Sequence, residues 1–178
     1  MSGKNPDRGL CRTVRFSALT LVASGLASTA GAAPGAGPLD AVELFFEALN
    51  SNDAALAATV MLDDGLLYRY AENAAGLSLA PTPIADYLEN LARSRNSLLE
   101  RIWDVEVLQE GRLAVVWTPY DFYLDEKFHH CGVNSFNLIL DDDGWKIASV
   151  VYSVHTDACE PSPLGPPVFG ETRRMDPE

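Results

Sequence analysis

The side chains best suited to acid–base chemistry lie in residues 120 to 136, YDFYLDEKFHHCGVNSF. An imidazole, whose unperturbed pKa is about 6.5, transfers protons readily near neutral pH, so His130 is the candidate general acid or base. Asp121 would orient the His130 ring, and a tyrosine would donate a hydrogen bond to a developing oxyanion. The alternative is structural: His130 is a buried, hydrogen-bonded histidine, and Asp121 belongs to a solvated hairpin.

Alternation along a strand decides which of these side chains meet. Between residues 127 and 140 the even positions carry most of the aromatic and leucine side chains, so this face is predicted to line the interior, with His130 and Asn134 as polar groups. Pro119 cannot donate to a ladder and is typical of a bulge, which leaves the facing of the preceding strand open. The predicted pocket residues are Tyr70, Trp117, Tyr120, Asp121, Tyr123, His130, Asn134, Phe136 and Tyr152.

Neither a metal nor a cofactor is predicted. His129 and His130 are adjacent, and adjacent residues of a regular strand point to opposite faces, which disfavours one shared ion. The acidic run at residues 141 to 143 is shorter than a calcium-binding loop and is typical of a hairpin tip. The sequence has no phosphate-binding loop, dinucleotide or serine-hydrolase motif.

Two cysteines follow residue 32, and the sequence leaves open whether they pair. A turn near residues 142 and 143 would place Cys131 opposite about Val154, so Cys159 reaches it only if the chain folds back after His155. An oxidising compartment would permit this disulfide. Zinc binding is disfavoured because two isolated thiols lack the paired spacing of zinc sites.

The first 32 residues have the pattern of a secretory signal peptide. Four basic residues precede the apolar run FSALTLVASGLASTAGAA, which reaches an Ala-Gly-Ala triplet at residues 30 to 32. Small and polar residues dilute this run too much for a spanning helix. The mature protein is therefore predicted to be exported, to the periplasm or the medium, and to have no membrane anchor.

Charge excludes two classes of partner. The chain has 13 Lys and Arg and 25 Asp and Glu; four basic residues and one acidic residue precede residue 33, so nine and 24 remain, a formal charge of −15. Such a balance repels nucleic-acid backbones and anionic lipid headgroups. A small-molecule ligand and a second copy of the chain remain as possible partners.

Hydrophobic periodicity predicts the elements that position the pocket. Val42, Phe45, Phe46 and Leu49 recur at helical spacing, and Asp53 suits the N-cap of a second, shorter helix. One strand and a third helix, capped by Thr82, are predicted to follow. The later segments are rich in β-branched and aromatic residues and are separated by turns, which predicts an antiparallel meander. These segments are residues 100 to 109, 112 to 125, 127 to 140 and 145 to 155.

Helices followed by a meander indicate an α+β domain, here residues 38–158. A Pro-rich tail, residues 159–178, is predicted to be disordered or to lie along the surface. The element order, the opening LDAVELFFEALNSNDAAL and the closing FHHCGVNSFNLILDDDGWKIASVVYSV resemble the nuclear transport factor 2-like superfamily (SnoaL-like cone), and in particular its lumazine-binding branch. The resemblance covers residues 38 to 157.

The resemblance implies a cone in which a strongly curved antiparallel sheet wraps the N-terminal helices around one deep cavity. It implies no single activity, because the superfamily includes isomerases, dehydratases, cyclases, epoxide hydrolases and binding proteins. Three hypotheses therefore stay open. The chain binds a small, largely apolar or aromatic ligand; it is a cofactor-free lyase, isomerase or cyclase using His130 and Asp121; or it is an interaction module that forms a homodimer.

Overall fold

The computed structural model describes residues 37–73, 76–157 and 159–169, except for the side chains of residues 72 and 73. The predicted signal peptide and the end of the predicted tail lie outside these residues. Within them, no helix is long and apolar enough to cross a membrane.

Three helices form at the segments that the periodicity predicts. The first, α1, spans Pro38–Ser51 and buries the predicted stripe that includes Phe45 and Phe46. The second, α2, spans Ala54–Ala58, and the carboxylate of Asp53 accepts a hydrogen bond of 2.9 Å from the backbone N–H of Leu56. The third, α3, spans Ile84–Arg93 and begins two residues after the predicted cap, Thr82.

Seven strands lie in the part of the chain that the structure describes: β1 Met61–Asn73, β2 Gly76–Pro83, β3 Leu98–Ile102, β4 Glu106–Glu110, β5 Leu113–Leu124, β6 Lys127–Leu140 and β7 Trp145–Val154. They form one mixed sheet in the order β2-β1-β7-β6-β5-β3, and β4 also pairs with β5. The later strands pair as an antiparallel meander, whereas β1 lies parallel to β7.

Two differences from the predicted strands have local causes. The segment 100 to 109 forms two strands because the chain turns at Asp104, which has a positive φ of 46°. Strand β2 was not predicted, since its prolines argue against a strand; it lies at the edge of the sheet, where proline is tolerated.

The helices pack on one face of the sheet. Helix α1 contacts β3, β5, β6 and β7, which requires the sheet to curve around it. The rings of Phe45 and Phe46 both meet the ring of Phe136 edge-on, at centroid distances of 5.5 Å and 5.6 Å. This packing forms part of the core, and Phe45 also lines a hollow between the helices and the sheet.

The described part of the C-terminal tail, residues 159–169, lies along the outer surface. The structure joins Cys159 to Cys131 in a disulfide with a Cα–Cα distance of 6.0 Å. Arg101 donates a hydrogen bond of 3.0 Å to the carbonyl of Gly165, and the ring of Phe169 packs against that of Tyr123. His155 pairs with Cys131, one residue beyond the predicted partner Val154, and the tail folds back after it.

Candidate functional site

The hollow is a partly enclosed cavity of about 170 Å³ between helices α1 and α3 and the inner face of the sheet. Its walls are mostly aromatic and aliphatic, with a few polar groups among them. The lining residues are Phe45, Leu49, Leu67, Tyr87, Glu100, Tyr120, Phe122, His130, Asn134, Val150 and Tyr152.

Glu100 supplies the one carboxyl group among these lining residues. Asn50 of α1 positions the Glu100 backbone through two hydrogen bonds: its side-chain oxygen accepts from the Glu100 N–H at 2.7 Å, and its amide donates to the Glu100 carbonyl at 3.1 Å. The Asn134 amide donates to Oε1 of Glu100 at 2.8 Å. Helix α1 and strand β6 together fix where this carboxyl lies.

The environment of Glu100 favours its protonated form. Burial is the largest effect and raises the pKa of its carboxyl; the hydrogen bond from Asn134 lowers this pKa, and the negative charge of Asp121 raises it. The net result is a rise from 4.5 to about 7. At neutral pH this group therefore exists in both protonation states.

Three tyrosines surround the carboxyl, and burial raises the pKa of each hydroxyl. The Tyr120 hydroxyl donates to the carbonyl of Ser153 at 2.8 Å. That contact passes over Gly132. A Cβ at this position would lie 2.0 Å from the same carbonyl oxygen, so the contact requires glycine there.

The Tyr87 hydroxyl oxygen is buried, and no described group hydrogen-bonds to it. Buried polar atoms are rarely left unpaired, so this one needs a partner.

His130 lines the cavity, but its environment opposes a positive charge. Burial lowers the pKa of its imidazole to about 4, with smaller contributions from His129 and Arg69.

His129 and His130 were predicted to point to opposite faces of the strand. They do not, and their Nδ1 atoms lie 2.7 Å apart. The cause is a bulge: Phe122 pairs with His130 and Tyr123 with Phe128, so His129 is an extra residue. No group of three potential metal ligands occurs among the described residues.

Asp121 does not orient His130, contrary to the hypothesis. It lies on the opposite face of β5 from Tyr120, and Arg101 binds both of its carboxylate oxygens at 2.9 Å and 2.5 Å. The ladder runs without a shift through Pro119, so the predicted bulge is absent there. Regular alternation therefore places Asp121 on the outer face of the sheet, where it is buried against Arg101.

The structure divides the other predicted pocket residues into two groups. Tyr120, Asn134 and Tyr152 line the cavity together with His130. The rest do not: Trp117 is exposed, Tyr123 packs against Phe128 and Phe169, Phe136 is buried in the core, and Tyr70 lies on β1 outside the lining. The predicted pocket was therefore partly misplaced.

Glu100 and Tyr87 are the main site residues that the sequence analysis missed. A signal for Glu100 was present, because Leu98 and Ile102 share its face of β3 and pack against the core. A charged residue between two apolar, partly buried positions is unusual enough to mark a site. Tyr87 was assigned only to the apolar stripe of α3, since one sequence does not show where a hydroxyl points.

Comparison with known proteins identifies the fold. No family model matches the chain, and no curated protein matches it in sequence. A solved structure of an NTF2-like protein from Cytophaga hutchinsonii is similar, with a TM-score of 0.56 and 15% identity over 66% of this chain and 94% of that one. An NTF2-like protein with a cystatin-like fold from Novosphingobium aromaticivorans has a TM-score of 0.52 and 14% identity, over 67% and 80% of the two chains.

A third similar structure comes from the same Novosphingobium species. It is described as a candidate beta subunit of an aromatic-ring-hydroxylating dioxygenase, with a TM-score of 0.54 and 14% identity over 72% of this chain and 93% of that one. At these identities the likeness is one of fold. Nothing in the three descriptions mentions lumazine, so the lumazine-binding branch stays a prediction.

Proposed function

We propose that this chain, which has the nuclear transport factor 2-like fold, binds a small, largely apolar or aromatic molecule in its cavity. One observation carries the proposal: the buried Tyr87 hydroxyl has no described partner and lines an apolar cavity next to a carboxyl group. Ligand sites typically combine apolar walls with a few polar groups that fix orientation.

The size of the cavity limits the ligand. A dry cavity of roughly 150 Å³ holds a benzene molecule, and this one measures about 170 Å³. One aromatic ring with a short substituent is therefore the appropriate scale. Binding is favoured over the lyase, isomerase or cyclase hypothesis because the pair that this hypothesis requires, His130 and Asp121, is not formed.

Filling the cavity tests the proposal. Val150 lines the cavity and is 2% exposed, while its neighbour Val151 is 41% exposed on the other face of β7. In a calorimetric titration with benzyl alcohol, we expect Val150→Phe to weaken binding at least tenfold and Val151→Phe to leave it unchanged. Melting curves would check that both variants fold, since overpacking costs about 1–3 kcal/mol. Equal binding by all three proteins would contradict the proposal.

We further propose that this binding takes place outside the cytoplasm. Two observations support this location. The first 32 residues have the pattern of a signal peptide, and the Cys131 to Cys159 disulfide suits an oxidising compartment.

A second candidate function is homodimer formation, which the outer face of the sheet favours. Trp117, Ser135 and Val151 are successive cross-strand neighbours on this face, and Trp117 is 48% exposed. Cross-strand partners share a face, so the exposed apolar side chains of Trp117 and Val151 lie on either side of Ser135 in one row. A two-fold axis would cover such a surface with its own copy.

Light scattering tests this candidate. We expect the wild-type protein to be a dimer at micromolar concentration and Trp117→Glu to be a monomer, because the substitution places a charge in the apolar contact. Leu79→Glu is the control, since Leu79 is 60% exposed on β2, at the other end of the sheet. A monomeric wild type, or a dimer that Leu79→Glu disrupts equally, would remove the candidate.

A further inference from the structure

The composition of the cavity wall indicates more than a general affinity for apolar molecules. Aromatic rings make up much of it, and Glu100 is the one acidic residue among the lining side chains. The face of an aromatic ring carries partial negative charge and attracts cations, most strongly in a site shielded from water. The rings are those of Phe45, Tyr87, Tyr120, Phe122 and Tyr152.

Two oxygen atoms in the cavity are available to accept hydrogen bonds. Asn134 occupies Oε1 of Glu100, whereas Oε2 bonds to no side chain in the described part of the protein. The buried Tyr87 hydroxyl oxygen is the second atom. Both groups line the same cavity, and the charge of Glu100 helps to raise the pKa of the Tyr87 hydroxyl. A ligand in the cavity therefore faces both acceptors.

We propose that the cavity binds a small organic cation, a protonated primary or secondary amine attached to a single aromatic ring or an apolar body of similar size. Its N–H groups donate to Oε2 of Glu100 and to the Tyr87 hydroxyl oxygen, and the surrounding rings stabilise the charge. This inference rests on the proposed function and specifies its ligand class.

The other charged groups near the cavity are compatible with a cation. Asp121 lies behind the sheet and adds negative charge that Glu100 experiences, but it is paired with Arg101, so the net charge of the two is near zero. His130 stays neutral at physiological pH, since its pKa is lowered to about 4. Arg69 is the opposing group: it acts on His130, Tyr120 and Tyr152, but it is not among the lining residues.

Three probes of equal ring size separate the possible ligand classes. Benzylamine carries a positive charge, benzyl alcohol is neutral and benzoate is negative. In calorimetric titrations at pH 8, where Glu100 is mostly ionised, we expect benzylamine to bind at least tenfold more tightly than benzyl alcohol, and benzoate most weakly. Lowering the pH from 8 to 6 should weaken benzylamine binding about tenfold, because Glu100 gains a proton while the amine stays charged.

Two variants assign the effect to the carboxylate. Glu100→Gln keeps an oxygen for the Asn134 amide but removes the charge, so benzylamine affinity should fall at least tenfold. Glu106→Gln removes the same charge from an exposed position on β4 and should leave benzylamine affinity unchanged. Melting curves confirm that each variant is folded.

The outcomes separate this inference from the proposed function. If benzyl alcohol binds as tightly as benzylamine, or if Glu100→Gln leaves benzylamine binding unchanged, the cation inference is overturned and the binding function stands. If benzoate binds most tightly, the ligand class is an anion and the inference is likewise overturned. If none of the three probes binds, the proposed function fails with it.

Discussion

Glu100→Gln should stabilise the protein at pH 8 and leave its stability unchanged at pH 4. The pKa of the Glu100 carboxyl is raised from 4.5 to about 7 in the folded protein. Below the unfolded pKa both states hold the proton, so the group contributes nothing. Between the two pKa values the unfolded chain loses its proton first, and folding becomes less favourable as the pH rises.

The expected size follows from the same linkage. Each pKa unit corresponds to about 1.4 kcal/mol, so above pH 7 the carboxyl destabilises the folded protein by roughly 3 kcal/mol. Glutamine does not titrate and has no such cost. For a domain of this size the melting temperature should rise by roughly 6–12 °C at pH 8. Melting curves at half-unit intervals from pH 4 to pH 8 would measure the difference.

The decisive observation is how the stability difference between Glu100→Gln and the wild type depends on pH. This difference should be near zero at pH 4, grow between about pH 4.5 and pH 7, and then stay constant. Glu106→Gln, at the exposed position on β4, should show no such step. A stabilisation that is equal at all pH values, or a destabilisation at pH 8, would mean that the carboxyl is not in the environment the structure describes. A protein that keeps such a costly carboxyl uses it for something other than stability.

Replacing both Cys131 and Cys159 by serine should lower the free energy of unfolding by about 3 kcal/mol. The two residues are 28 positions apart, and the disulfide restricts the unfolded chain over that whole loop. The strand contact beside it should survive, because the backbones of Cys131 and His155 exchange two hydrogen bonds of 3.0 Å and 2.8 Å. The loss of stability should therefore arise mainly because the unfolded chain becomes less restricted.

Urea denaturation with and without a reducing agent would measure this effect. Reductant should destabilise the wild type by about as much as the double substitution does, and it should not affect the double variant. Binding of benzyl alcohol should be unchanged, because the disulfide lies on the outer surface and neither cysteine lines the cavity. A loss below about 1 kcal/mol, or an equal response of the double variant to reductant, would contradict the entropic explanation.

The sequence was sufficient for the fold because the fold depends on repeated local patterns. The buried stripe of α1, the cap at Asp53 and the three longest meander strands each follow from residues close together in the chain. Their order led to the nuclear transport factor 2-like fold, which the structural comparisons confirm. Alternation along β6 also placed His130 and Asn134 on the face that lines the cavity.

Tertiary structure decided the chemistry of the site. Asn50 holds the Glu100 backbone across 50 positions of sequence, and Asn134 reaches its carboxyl from 34 positions away. Arg101 binds Asp121 on the other face of β5, and a single bulged residue turns His129 towards His130. Periodicity in a sequence reports which face of its own element a residue occupies. It does not report which distant group lies opposite or where a ladder slips by one residue, and those two facts determine which side chains meet in the cavity.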